Sequence, residues 1–144
     1  MKASTLFAVV VLLSALATGV AAGQSQGAAA DVPFAFYVGD VELPAGSYRF
    51  TWEMGGHVVR VWGEGKGAYR IVHARGSYRH SRREVVFHKY PDGSHFLEEI
   101  WVPGRAGQQI RQSNLEAKVS TDWRLKRIAV ALRPASPGNS TGGG

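Results

Sequence analysis

Three observations predict an all-β domain, a single small antiparallel β-sandwich or β-barrel of about seven or eight strands with one short helix in the C-terminal half. Ser47–Met54 alternates strictly, with Tyr48, Phe50, Trp52 and Met54 on one face and Arg49, Thr51 and Glu53 on the other, the pattern of a strand with one buried and one wet side. Glycine, proline and aspartate punctuate the chain at short intervals, at Leu43–Gly46, Gly55-Gly56, Gly63–Gly67, Asp92-Gly93 and Pro103–Gly107. Only one stretch, opening at Ser113, carries both a helix start signal and a helical period.

The N-terminus reads as an export signal over residues 1–22. Lys2 gives a basic start, Leu6–Ala17 is apolar apart from Ser14, and Val20-Ala21-Ala22 supplies the small residues of a cleavage site. Leu6–Ala22 falls short of the roughly 20 residues that span a bilayer, so no transmembrane segment is expected after signal removal. Residues 23–31 read as a small-residue linker, 32–133 as the β-domain and 134–144, rich in Pro, Gly and Ser, as a disordered tail.

Within the domain, Val32–Val38 is the first expected strand, with Phe34, Phe36 and Val38 on one face. Ser47–Met54, His57–Trp62 and Ala68–Ala74 follow. Arg83–Gly104 then reads as one long hairpin, because Asp92-Gly93 accepts the positive φ angles of a tight turn. Ser113 is a good N-cap with Glu116 three residues on, a reciprocal capping pattern, and Leu115, Val119 and Trp123 make one apolar stripe for packing on the sheet. Arg127–Arg133 is the last expected strand.

Composition narrows the chemistry. The chain has no cysteine, so thiol chemistry is excluded and the domain must hold by packing, although small exported domains are commonly reinforced by disulfides. Lys and Arg number 17 against 11 Asp and Glu, a net charge of +6, which favours anionic neighbours by raising their local concentration. An anionic polysaccharide, a membrane surface or another envelope protein fits an exported chain; nucleic acid does not.

Two stretches, VPFAFYVGDVELPAGSYRF (Val32–Phe50) and VVFHKYPDGSHFLEEIWVPG (Val85–Gly104), resemble a family of short exported bacterial proteins of uncharacterised function. The resemblance covers about a third of the chain after the signal and implies an exported β-domain, with no activity to carry over. The segment after Gly104 departs from it.

The strongest local anomaly is Arg70–Arg83, where Arg70, Arg75, Arg79, Arg82 and Arg83 stand with His73 and His80 and no carboxylate. Guanidinium forks match phosphate, sulfate and carboxylate geometry, so this segment is a candidate clamp for a polyanion; a solvated loop is the plainer reading. Trp62 and Trp101 lie on strands apolar on both faces, so each serves either the core or a ligand or partner surface, whereas Trp52 and Trp123 belong to the core. A two-residue Asp92-Gly93 turn would make His88 and His95 diagonal neighbours on one face, and a shift of one residue would part them. With no paired histidines two residues apart and no metalloprotease helix motif, no metal or other cofactor is expected. Glu98 and Glu99 are adjacent on a strand, so alternation sends them to opposite faces, and pairing with arginine is the plain fate of each. No serine sits in a nucleophile-elbow sequence. The resulting expectation is an exported, non-enzymatic binding or structural module, with a hydrolase or metal enzyme as the alternative that spacing does not support.

Overall fold

The computed structural model describes residues 27–120 and 124–135. The expected signal peptide, the start of the expected linker, Trp123 and the residues beyond 135 lie outside the described residues. Eleven strands form one sheet: β1 (Ala28–Val32), β2 (Phe36–Val38), β3 (Val41–Leu43), β4 (Gly46–Glu53), β5 (Val58–Gly63), β6 (Lys66–Arg75), β7 (Glu84–Lys89), β8 (His95–Trp101), β9 (Gly107–Ile110), β10 (Lys126–Ala131) and β11 (Arg133–Pro134). Among the described residues one α-helix, α1 (Asn114–Val119), precedes β10. The all-β class is as expected.

The closed barrel or two-sheet sandwich of seven or eight strands is not the form taken. The sheet is open, with strand order β10-β7-β8-β9-β6-β5-β4-β1-β11 and β2 and β3 off this path. β6 turns its corner: residues up to Ile71 pair with β5, and Val72–Arg75 pair with β9. A strand shared in this way bends a sheet over its own core. The two ends of the path, β10 and β11, are successive pieces of chain separated only by Leu132, itself buried. Pairing is antiparallel except at Tyr37–Phe96, where β2 meets β8 in parallel.

One core fills the inside. Tyr48 and Phe50 of β4, Val59 and Val61 of β5, Val85 and Phe87 of β7, and Leu97 and Ile100 of β8 are all within 2 % of full burial. Phe36 meets Tyr48 and Phe87 edge-on at centroid distances of 4.9 and 5.2 Å, a favoured aromatic geometry. Trp52 packs partly buried against this cluster, but Met54, the expected fourth member of the β4 stripe, is exposed at the 3₁₀ turn Met54–Gly56.

Four local departures have clear causes. Residues 28–31 form β1 instead of linker, because Ala28 and Ala30 are small enough to be buried under β4. The expected strand Val32–Val38 breaks at 33–35, next to Pro33, which cannot donate to a ladder. The last strand breaks at Leu132, and Arg133–Pro134, at the start of the expected tail, pair with β1. In α1 the Glu116 amide donates to Ser113 Oγ at 3.1 Å, as the capping pattern predicts, yet Leu115 and Val119 are only half-buried and Glu116 is the buried residue of the helix. A carboxylate, not an apolar stripe, docks α1.

The central hairpin loop is one residue longer than the expected two-residue turn, which shifts the register of the two strands. Lys89 faces His95, Tyr90 N–H donates to Ser94 O, and Gly93 N–H donates to Tyr90 O, so the loop is Pro91-Asp92-Gly93. Gly93 takes φ +88, the left-handed residue that closes a three-residue hairpin. Replacing Gly93 by Ala is expected to cost about 1 kcal/mol, measured as a shift of the urea midpoint without change of slope.

Candidate functional site

The shifted register parts the two histidines. His88 points to the outer side of β7, whereas His95 is buried and stacked on Phe34 with ring centroids 3.9 Å apart. Burial, and the Lys89 charge beside it, hold the His95 imidazole below its ordinary range. Among the described residues no group of three or more His, Cys, Asp or Glu is placed to hold a metal ion.

A second irregularity builds the site. Phe87 pairs with Leu97 but Val86 pairs with Glu99, so Glu98 is the extra residue of a β-bulge. Leu97 and Ile100 both enter the core, an odd spacing that strict alternation forbids. The bulge absorbs the mismatch, and the two carboxylates, expected on opposite faces, come to share partners. Arg75 Nη1 lies 2.8 Å from Glu99 Oε1 and 3.8 Å from Glu98 Oε1. Arg127 of β10 reaches Glu99 Oε2 at 2.6 Å through Nη2 and Glu98 Oε2 at 3.6 Å through Nε. The Trp101 indole N–H also donates to Glu99 Oε2, at 2.8 Å.

Glu99 is 1 % exposed, while Arg75 and Arg127 are nearly half exposed. The cost of leaving water therefore falls mainly on the carboxylate, and it is offset only while both guanidiniums stay in place. Glu99 Oε1 gains the Arg75 charge without an aligned hydrogen bond.

The network continues to the helix. His88 Nε2 stands 2.7 Å from Glu98 Oε2, and Nδ1 stands 3.1 Å from Glu116 Oε1, which also accepts from Tyr90 Oη at 2.8 Å. Burial alone would lower the His88 pKa; the hydrogen bonds to Glu116 and Glu98, with their charges, outweigh it and raise the pKa to about 9. Burial would raise Glu98, but His88, Arg127 and Arg75 hold it below the usual carboxylate range. Burial first, and then the bond to Glu116, push the Tyr90 phenol well up.

Above this network lies a groove of about 400 Å³ lined by Arg75, Gly76, Arg82, Glu84, Val86, Glu99, Trp101, Arg127 and Ala129. Arg82 stacks its guanidinium 3.9 Å from the Trp101 ring centroid and pairs with Glu84 at 2.5 Å. His80 meets the same indole edge-on at 5.0 Å.

The candidate residues are thus divided. Arg75, Arg82 and Trp101 meet in the groove, but Trp101 is buried under Arg82 and offers no open ring face. Arg70 sits half-buried with its guanidinium against Gly39 and its charge near Asp40. Arg79 stays on the 76–83 loop, where its amide bonds Ser77 Oγ, and Arg83 lines a separate depression beside Gly27 and Pro134. Trp62 is 47 % exposed on the outside of β5. The five arginines do not gather at one place; Arg75 already holds Glu98 and Glu99, and Arg82 holds the neighbouring Glu84.

Sequence reasoning missed Arg127, which register alone brings opposite His88. Its signal lay in the pairing of the last strand with the hairpin, which no local spacing encodes. No family model, curated protein or solved structure matches the chain.

Two measurements test the network. Replacing Glu99 by Gln removes the charge that two half-exposed arginines face but also relieves its desolvation, and is expected to cost about 1 kcal/mol in a urea melt. For His88, a folded pKa above the ordinary 6.5 means that its stabilisation is full below 6.5 and is lost as pH rises through about 9. Stability should fall by on the order of 2 kcal/mol across that window, after allowance for the partly exposed ring, and His88→Gln should flatten the profile.

Proposed function

We propose that the protein is an exported, non-catalytic binding module whose groove takes the carboxylate, sulfate or phosphate groups of an anionic polymer outside the cytoplasm. One observation carries the reading: Arg75, Arg82 and Arg127, from β6, the following loop and β10, border a single groove with side chains 42–48 % exposed. Each spends part of its guanidinium on a glutamate and has five N–H donors in a fixed fork, so the glutamates orient the arginines while outward donors remain for a ligand. The positive balance of the chain supports the same class of partner.

The chemistry of the network supports a role without catalysis. Glu98 is held ionised by His88 and two arginines, so it is a poor proton donor at neutral pH. His88 is held protonated between two carboxylates, so it is a poor base. The signal-like residues 1–22 and the likeness to short exported proteins support the extracytoplasmic setting, and among the described residues no helix is long and apolar enough to cross a membrane.

The test is a thermal-shift titration with a uronic-acid or sulfated polysaccharide at low and high salt. A ligand selective for the folded state raises the midpoint, and contacts of this kind weaken as salt screens them. We expect a rise at low salt that fades at high salt and is cut by Arg82→Gln. A flat response, or one indifferent to salt and to Arg82, sinks the proposal.

A further inference from the structure

The outer face of β4–β5–β6 carries a feature that the groove does not use. Trp62, Tyr69 and Ile71 are 47, 54 and 66 % exposed there. Arg60 of β5 faces Tyr69 of β6 across the ladder, and Trp62 faces Gly67. The Arg60 guanidinium carbon lies 5.0 Å from the Trp62 ring centroid and 5.6 Å from that of Tyr69, so one cation is shared by two rings. Arg60 Nε is buried there with no hydrogen-bond partner.

Gly67 fixes the attitude of the indole. A Cβ at that position would clash with Trp62 Cε3: the ring lies against the strand where a side chain would stand. The indole is thus packed close on Gly67 while the residue stays about half exposed.

We infer that the Arg60–Trp62–Tyr69 platform is a stacking surface for the sugar rings of an acidic polysaccharide. Two π-faces suit the C–H faces of pyranose rings, and the cation held between them suits a carboxylate or sulfate on the same chain. The inference rests on the binding reading above only for the anionic character of the ligand; the residues are different. Arg82→Gln reports on the groove and Trp62→Ala on the platform, so the failure of either is seen separately.

The experiment uses the full chain labelled with ¹⁵N, titrated with an oligogalacturonate, a neutral cello-oligosaccharide and a single-stranded DNA oligonucleotide. The acidic sugar should shift the Trp62 indole N–H resonance, and Trp62→Ala or Tyr69→Ala should weaken its binding by about tenfold or more. Tyr78→Ala, a more exposed aromatic elsewhere, should change it by less than about twofold under the same stacking argument. Both platform variants should keep the wild-type melting midpoint, and Trp62→Phe, which keeps a ring face, should retain most of the binding. An unmoved Trp62 resonance, equal binding of the neutral sugar, tighter binding of DNA, or full affinity in both alanine variants overturns the inference.

Discussion

The outer surface depends on one steric constraint, that Leu97 and Ile100 must both reach the core although three positions separate them. A regular strand would place one of them outside and turn Glu99 inward with the other. The bulge at Glu98 restores both apolar side chains to the inside and turns two carboxylates to the same outer side. Arg75, Arg127 and the Trp101 indole then converge on Glu99. The ionic layer, the groove above it and the docking of α1 through Glu116 are consequences of that single accommodation.

Function is accordingly assigned to the outside of the sheet. Large side chains such as Tyr48, Phe50, Phe87 and Ile100 fill the inside, and the grooves described lie over the outer faces or at the ends. The two halves of the sheet differ in how they are dressed. The β10-β7-β8 side is polar and cross-linked, with each groove arginine paired in part with a glutamate. The β4-β5-β6 side is aromatic and open, with the Arg60 cation bracketed by rings. The first resembles a scaffold that orients donors, the second a surface awaiting contact.

Much of the strand pattern was legible because alternation is a local property. Tyr48, Phe50, Val59 and Val61 could be assigned to the core from period two alone, and the Ser113 cap could be read from its spacing to Glu116. The turn residue Gly93 was visible as well, but loop length was not, and a single residue of register decided that His88 and His95 part. FLEEIW held the clue to the bulge, since two glutamates between two core residues do not fit a period of two. Arg127 was illegible in principle, because its place beside His88 and Glu99 comes from a pairing formed across the whole length of the hairpin and helix. Short strands such as β3 and β9 were missed for a similar reason: three or four residues carry little period.

The described chain enters and leaves at one point, where the Ala135 amide donates to Gly27 O at 3.1 Å beside the β1–β11 pairing. Drawing these two ends apart loads the ladder one hydrogen bond at a time, as a zipper is opened, and not all bonds in shear. A domain strung between two anchors in this way would yield at low force by peeling β11 from β1 first. Held instead by one end only, it would carry no load across that seam, so its mechanical strength is set by how it is tethered more than by the depth of its core.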